Sequence, residues 1–267
     1  MPELPEVTTI VNQLNKEILL TNIKKVTVTD KRLIKDVEPN EFIKKVTGST
    51  IKEVLRRGKV IIIKLEDKLF LIFHLRISGW LLLHSEYQKS ARVSFELSNN
   101  LKLSFCDQRV LGEIRLVEDW HNLHIIKSMG PEPLSLSGEK FIELFKGKKL
   151  KIKPLLMDQT FIAGIGNLYA QELLFCAKIN PEKRADSLTK DQLEKLYSCL
   201  INILKDAIEK KGSSVDTYRQ VSGSKGAYAE VLKVYQREKE PCCRCNHPIV
   251  RKTIAGRGTY FCPECQK

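Results

Sequence analysis

Lys59-Val60-Ile61-Ile62-Ile63-Lys64-Leu65-Glu66-Asp67-Lys68-Leu69-Phe70-Leu71-Ile72-Phe73-His74-Leu75 sets the architecture of the first half of the chain. Residues 59–65 and 69–75 are short runs dense in β-branched and aromatic side chains, and the Asp67-Lys68 pair between them marks a tight turn. The stretch therefore reads as two neighbouring strands. The same texture continues outward, through residues 23–28 and 50–55 on one side and 93–97, 101–105 and 112–117 on the other, with Asn99-Asn100 as a second turn. Many short strands at this spacing predict a two-sheet sandwich or a barrel. The longest apolar runs, 60–63 and 69–73, are far too short to cross a bilayer, so no membrane partner is expected.

Beyond this region the pattern changes. Val7, Ile10, Val11, Leu14 and Ile18 recur at helical spacing behind Pro5, which suits a helix start, so a helix is expected over residues 6–20. After Gly130-Pro131-Glu132-Pro133 the strand texture stops. Residues 138–146, 168–176 and 189–211 carry helical periodicity, with Ser137 and Thr189 as N-caps. Residues 212–227, rich in Gly and Ser and without a period, read as a long flexible loop, of the kind that is either functional or a linker.

A chain of 267 residues can bury a real hydrophobic core, as one unit or as two domains and an appendage. Its net charge of +13 and pI near 9.3 make nucleic acid the leading partner, although charge alone fits a merely soluble basic protein equally well. Glu3, Glu6 and Glu17 interrupt the first thirty residues, so no secretory leader is expected and a cytoplasmic location is. Eight cysteines in a reducing compartment argue against a disulfide framework. Cys106, Cys176 and Cys199 sit in apolar patterns and read as small buried side chains.

The remaining five cysteines crowd into the C-terminus. Cys242-Cys243-Arg244-Cys245 and Cys262-Pro263-Glu264-Cys265 form two C-x2-C pairs with sixteen residues between them, the spacing of a four-thiolate zinc site; redox thiols are the lesser alternative. Cys242, Cys245, Cys262 and Cys265 have the required gaps and Cys243 does not. Four sulfurs leave no position for water or substrate, so one structural Zn2+ is expected. Residues 205–267 carry thirteen Lys/Arg against seven Asp/Glu, and a zinc hairpin bearing Arg251, Lys252 and Arg257 suits a phosphate grip or else a solvated appendage.

At the other end, Pro2 follows the initiator Met, and a small second residue permits Met removal, which would expose a secondary amine. An α-amino group titrates near 8 and a lysine near 10.4, so at pH 7 roughly a tenth of the former is neutral, against under a thousandth of the latter. A neutral amine can attack C1′ of a deoxyribose and carry it as an iminium. Glu3 and Glu6, within one turn, could protonate the ring oxygen or move the C2′ proton. Proline followed by acidic residues is also an ordinary helix-capping arrangement.

With Met1-Pro-Glu-Leu-Pro-Glu-Val7 at one end and Gly256-Arg-Gly-Thr-Tyr-Phe-Cys-Pro-Glu-Cys-Gln266 at the other, the chain resembles the formamidopyrimidine-DNA glycosylase family over essentially its whole length. Arg57-Gly58-Lys59, His74-Leu75-Arg76-Ile77-Ser78-Gly79, Gly130-Pro131-Glu132-Pro133-Leu134, Lys153-Pro154-Leu155-Leu156-Met157-Asp158-Gln159 and Ala163-Gly164-Ile165-Gly166-Asn167-Leu168-Tyr169-Ala170 fall in the family's order. The resemblance implies an α+β multidomain protein: an N-terminal β-sandwich (1–130), a central helix-two-turns-helix bundle with a lesion-capping loop (131–230) and a C-terminal zinc ribbon hairpin (231–267). It implies a monomer acting on double-stranded DNA that contains damaged bases or abasic sites, held in a cleft between the halves. Pro2 is then the Schiff-base nucleophile, Glu3 the proton donor in base release, Lys59 a donor in β-elimination and Arg257 a donor in δ-elimination. His74, Lys148, Lys153 and Asn167 match positions that hold backbone phosphates.

A damaged base is unreachable in the stack, so such an enzyme flips it out and fills the gap with wedge side chains. The family uses Met, Arg and Phe; here those positions read Ile77, Arg109 and Leu111, within Asp107-Gln108-Arg109-Val110-Leu111-Gly112. Arg92 stands where the family usually has a DNA-contacting His, and Gly226-Ala227-Tyr228 departs from its Pro-Gly-Tyr-Phe. The resemblance implies removal of oxidised purines with coupled lyase activity. Two other readings are oxidised-pyrimidine removal as in the related endonuclease VIII, against which Leu4 stands where that relative has Gly, and a non-catalytic zinc-ribbon DNA-binding protein.

Overall fold

A computed structural model describes every residue except Asp67 and Tyr87, so the Asp67 half of the expected turn lies outside the described residues; Lys68 follows in the left-handed region at φ 61°. The chain divides into two compact units, residues 1–127 with 210–229, and residues 128–209 with 230–267.

In the first unit, α1 (Leu4–Glu17) starts where the sequence places a proline in the first turn, and buries Val7, Ile10, Val11 and Leu14 on one stripe. Two sheets follow. One has the order β2 (Ile34–Lys35), β9 (Glu113–Val117), β5 (Phe70–His74), β4 (Val60–Leu65), β3 (Ile51–Arg57); the other runs β1 (Ile23–Val28), β7 (Ala91–Leu97), β8 (Lys102–Asp107), β6 (Gly79–His84). All pairings are antiparallel except β2 with β9. The expected hairpin is present, with Val60 opposite His74 and Lys64 opposite Phe70. A short helix, α2 (Pro39–Val46), adds Phe42 to the interior. Phe42, Phe95, Phe73 and Phe105 form an edge-to-face chain at 6.0–6.3 Å that joins the two sheets. Each of these rings is at most 1 % exposed and contributes about 2–3 kcal/mol by burial.

The chain crosses between the sheets twice at one end of this sandwich, through residues 75–78 from β5 to β6 and 108–112 from β8 to β9. Val60, His74 and Glu113 lie side by side in register at that same end. Every candidate residue of the first unit except those at the N-terminus and Arg92 therefore sits on, or next to, these crossings; Arg92 reaches them through Asp107.

Residues 212–227 correct the expectation of a flexible loop. Ser213 bridges Ala227, the Leu83 amide of edge strand β6 donates to the Val221 carbonyl at 2.7 Å, and Gln13 of α1 holds both Gln220 (2.6 Å) and the Val221 amide (3.1 Å). Tyr218 and Val221 are buried. The period-free sequence corresponds to irregular backbone that docks by side-chain-to-backbone bonds, which leave no periodic trace. It also covers an edge strand that would otherwise offer unpaired amides. These contacts place 210–229 with the sandwich, whereas the sequence reading had kept them with the helices.

The second unit is built on α6 (Asn167–Ala177), buried on nearly every side, and the long amphipathic α7 (Lys190–Glu209). α4 (Gly138–Leu144) is capped by the Ser137 hydroxyl, and α7 by a reciprocal Thr189–Gln192 pair, as the sequence predicts. α3 (His124–Lys127), at the end of the first unit, and α5 (Ile152–Met157) are short helices the periodicity did not show. Gln159 shapes the two turns between α5 and α6: its amide donates to the carbonyls of Met157 and Ile165, and its oxygen accepts from the amide of Gly164, which sits at φ 87°. β10 (Val250–Ile254) and β11 (Arg257–Phe261) form the C-terminal hairpin, closed by Ala255 and Gly256 at positive φ.

A further difference concerns Cys176 and Cys199. They are joined as a disulfide between α6 and α7, with Cα atoms 5.9 Å apart, and are not separate buried thiols. Their spacing of 23 residues carries no motif, so only the helix packing reveals the pair.

Candidate active site and metal centre

Pro2 and Glu3 are buried at the entrance to α1, with Met1 partly exposed beyond them. Glu3 is the N-cap, and Glu3 and Glu6 form a reciprocal capping box in which the Glu3 amide donates to Glu6 Oε2 at 2.8 Å. The other oxygen of Glu6 accepts from the Ser213 amide at 2.8 Å. Glu6 thus clasps the N-terminus to the 212–227 segment with both oxygens engaged, which is a positioning role rather than a proton shuttle. Gly212 leaves room for this clasp: a Cβ there would lie 2.9 Å from Glu6 Oε1. Burial, with the Glu6 charge adding to it, pushes the Tyr218 phenol well above its ordinary range.

Lys59 is buried in the two-residue turn between β3 and β4, preceded by Gly58 at φ 53°. His74, opposite Val60, is neutral at physiological pH: burial, then the nearby Arg76 and Lys59 charges, lower its pKa to about 4 against a weaker opposing pull from Glu113. Its Nδ1 accepts from the Arg76 amide at 3.1 Å, which leaves the proton on Nε2 as the outward donor. Glu113 in turn holds the Arg76 guanidinium at 2.6 Å and that of Arg115 at 2.8 Å.

Ile77 and Leu111 are exposed at 42 % and 43 %, unusual for large aliphatic residues in a chain whose other long apolar side chains are mostly buried. Both ride on held loops. Asp107, fully buried, accepts from Ser78 Oγ (2.6 Å) and the amides of Arg109 (3.0 Å), Leu111 (2.8 Å) and Gly112 (2.7 Å). Val110 stands at φ 52°, a conformation that β-branched residues rarely adopt. The Phe105 ring lies against Gly79 and Gly112, where any Cβ would collide with it. One carboxylate and one ring therefore join the loops that carry Ile77, Arg109 and Leu111. Arg92 is half-buried and donates to the Asp107 carbonyl at 3.1 Å, so it too supports this loop. Sequence reasoning does not single out Asp107, whose one signal is its place at the head of the 107–112 motif.

In the second unit Lys148 is exposed, whereas Lys153 is fully buried. Its ammonium donates to Asn167 Oδ1 (2.8 Å) and Thr259 Oγ1 (2.7 Å), and Thr259 donates to the Arg257 carbonyl at 3.0 Å. Asn167 (3.3 Å) and Gln171 (3.2 Å) both donate to the Gly258 carbonyl, and Gln171 also accepts from the Tyr260 amide at 2.6 Å. The strand that begins at exposed Arg257 is thus fixed to α5 and α6 by Lys153, Asn167 and Gln171. Lys153 positions its neighbours, and a buried ammonium cannot itself present to a phosphate in this arrangement. Lys153, Pro154, Met157, Asp158, Ile254, Ala255 and Arg257 line a cavity of about 190 Å³.

The Sγ atoms of Cys242, Cys245, Cys262 and Cys265 lie within 4.8 Å of one another. Cys242 and Cys265 are 3.8 Å apart and Cys245 and Cys262 3.5 Å, close to the roughly 3.8 Å edge of a tetrahedron with 2.3 Å Zn–S bonds. The amides of Arg244 and Cys265 donate to the Cys242 and Cys262 sulfurs at 3.4 Å, bonds that orient the two knuckle sulfurs. Four thiolates at this spacing fit one structural zinc, and exposed Cys243 stands outside the set. Gln266, 1 % exposed, pins the second knuckle to the helices through the Ile179 carbonyl at 3.0 Å.

A Met-Pro-Glu start buried against a sandwich, a helix–turn–turn–helix unit and a four-cysteine hairpin together define a DNA glycosylase of the helix-two-turns-helix class. Models of the formamidopyrimidine-DNA glycosylase N-terminal domain, its H2TH domain and the zinc finger found in FPG and IleRS match residues 1–114, 129–219 and 239–267. Formamidopyrimidine-DNA glycosylase of Pelotomaculum thermopropionicum is 41 % identical over all of this chain and 99 % of its own length; that of Mycoplasma genitalium is 35 % identical over 100 % and 96 %. Among solved structures, a Lactococcus lactis FPG mutant with Fapy-dG DNA superimposes with TM-score 0.92 at 36 % identity, covering 100 % of both chains. MutM (FPG) from Thermus thermophilus does so at 0.89 and 35 %, covering 99 % and 98 %. The chain belongs to the formamidopyrimidine-DNA glycosylase family and is a DNA-repair glycosylase. Among the described residues no helix is long and apolar enough to cross a membrane.

Proposed function

We propose that the protein removes oxidised purines, 8-oxoguanine and formamidopyrimidines, from duplex DNA and then cleaves the abasic strand by β,δ-elimination through Pro2. The observation that carries the reading is the clasp at the N-terminus: a buried proline held in place by the Glu3–Glu6 box and Ser213. The clasp fixes the residue next to the Pro2 nitrogen, so an amine exposed there by loss of Met1 is already restricted in orientation. The Met1 amino group, 4.0 Å from the partly exposed Asp216 carboxylate, lies where an aminopeptidase can reach it.

Once Met1 is removed, the neutral Pro2 nitrogen bonds to C1′ as the C1′–base bond breaks, with Glu3 supplying a proton on the leaving side. The C1′–O4′ bond then opens, the proton lost from the Pro2 nitrogen passing to O4′, and the resulting iminium acidifies C2′; loss of that C2′ proton expels the 3′ phosphate, with Lys59 a donor in this β-elimination and Arg257 in the δ-elimination that expels the 5′ phosphate. His74, Arg92, Lys148 and Asn167 serve the DNA backbone, with Lys153 acting through Asn167. Ile77, Arg109 and Leu111 fill the gap left by the flipped base. The zinc holds the hairpin that carries Arg257 and takes no part in bond making.

Borohydride should trap a covalent adduct with duplexes containing 8-oxoguanine and with abasic duplexes. Absence of an adduct on both, with Met1 shown to be removed by mass, would refute the chemistry. Faster release of thymine glycol than of 8-oxoguanine would instead support the pyrimidine reading.

A further inference from the structure

We propose that Cys176 and Cys199 are a redox site: a dithiol that hydroperoxide converts to the disulfide, locking the helix pair that seats both Asn167 and the zinc hairpin. The placement of the bond motivates this. Cys176 lies in the last turn of α6 and Cys199 midway along α7, with their Cα atoms 5.9 Å apart. The same end of α6 is where the first zinc knuckle docks. Arg244, inside the Cys242–Cys245 knuckle, lies 4.2 Å over the Phe175 ring and donates to the carbonyls of Phe175 (2.5 Å) and Cys176 (3.2 Å). One turn and more towards the N-terminus, Glu172 accepts from the amides of Lys233, Val234 and Tyr235, and Gln171 holds Gly258 and Tyr260. α6 is thus the beam on which the hairpin is mounted, and the cross-link fastens that beam to α7.

The two sulfurs are unequal in a way that orders the chemistry. Cys176 is half-buried and Cys199 is 2 % exposed, so a peroxide arriving from solvent meets the Cys176 sulfur first. The Cys176 thiolate attacks one peroxide oxygen, the O–O bond breaks, and the oxygen remains on sulfur as a sulfenic acid while hydroxide leaves and takes a proton. Cys199 then attacks that sulfur; the S–S bond forms, the S–O bond breaks and a second water departs. Overall, two thiols and one hydrogen peroxide give one disulfide and two waters. A small dithiol reverses the step through a mixed disulfide. Cross-linking residues separated by 23 positions restricts the unfolded chain enough to change an opening equilibrium by roughly a hundredfold.

The test uses the full-length, zinc-loaded protein, reduced with a dithiol under argon and then exposed to substoichiometric hydrogen peroxide. Thiols are alkylated, peptides mapped by mass, zinc counted with a chelating dye and cleavage of the helical unit followed by limited proteolysis. The expected result is a Cys176–Cys199 cross-linked peptide formed with the zinc retained, and proteolysis slowed by roughly tenfold or more, both reversed by dithiol. C176S and C199S should abolish both effects while still being trapped on abasic duplex. Recovery of the two cysteines as separately alkylated thiols at a peroxide dose that already releases zinc would overturn the proposal. So would a cross-link that leaves proteolysis unchanged, or one that dithiol cannot open in the folded protein.

Discussion

Asp107→Asn isolates the carboxylate that holds the loop proposed as the wedge. The carboxylate is fully buried and accepts four hydrogen bonds, from Ser78 Oγ and the amides of Arg109, Leu111 and Gly112. The amide is nearly isosteric but carries a donor on one side. With its NH2 towards Leu111 and Gly112 it would meet two N–H groups; turned the other way it meets one N–H, of Arg109, and a hydroxyl that can rotate to accept. The second orientation should win. It still leaves one buried amide unsatisfied, costing about 1–3 kcal/mol, and turns three charge-assisted bonds into neutral ones at about 1 kcal/mol each. Relief of a buried charge offsets part of this, for a net local loss of about 3 kcal/mol. Hydrogen exchange at Arg109, Leu111 and Gly112 should accelerate by roughly a hundredfold, while amides of α1 stay protected. Excision of 8-oxoguanine should fall much further than cleavage of a preformed abasic site, where no base has to be evicted. Exchange within threefold of wild type at all three amides, or equal loss on both substrates, would refute the assignment.

Lys153→Met should remove the bonds to Asn167 and Thr259, leave the buried Thr259 and the half-buried Asn167 short of a donor and loosen β11, at about 2–4 kcal/mol; exchange at Thr259 and salt-dependent binding to an abasic duplex would report it. His74 should titrate near pH 4 by NMR. Its folded pKa lies below the unfolded value, so the unfolded state binds the extra proton between pH 4 and 6.5: stability is complete above that window and declines as pH falls through it, a decline His74→Gln should reduce. Cys262→Ser, or strong chelation, should unfold the hairpin and release one zinc per chain, whereas Cys243→Ser should retain the metal. Glu6→Gln should free residues 212–213 from the N-terminus, and limited proteolysis near Gly212 should rise before overall stability changes.

What the sequence made legible follows from how local each signal is. The β4–β5 hairpin, the Ser137 and Thr189 caps and the two cysteine knuckles each declare themselves within a few residues, because hydrogen-bond and ligand geometry fix their spacing. Strand β6 was missed because Gly79-Trp80-Leu81-Leu82-Leu83-His84 has little β-branching; its pairing to β8 and its cover by Val221 hold it. α5 and α2, at six and eight residues, are too short for a periodic signal. The 212–227 segment and the Cys176–Cys199 bond were misread for one reason: both depend on partners far along the chain, Glu6 and Gln13 for the loop, the packing of α6 on α7 for the bond. Lys153 was placed at a phosphate by its position in a motif, but only burial distinguishes a cation that touches DNA from one that holds its neighbours.

Under the proposed function the same distinction separates the residues given the chemistry from those given recognition. Pro2, Glu3 and Lys59 are buried and fixed by capping or turn geometry, so changes in the protein's surface leave them in place. Ile77, Arg109 and Leu111 are exposed, and only their backbones are fixed, through Asp107 and the Phe105–glycine contacts. A side chain at those three positions can therefore change shape without disturbing the loop beneath it, whereas a methyl group at Gly79 or Gly112 cannot be accommodated. Replacement of the family's Met and Phe by Ile77 and Leu111 is of the first kind. Under the proposed function it changes only the surface offered to a vacated base stack, so that proposal puts the choice of lesion and opposite base at Ile77 and Leu111, while Pro2, Glu3 and Lys59 remain as the fold holds them.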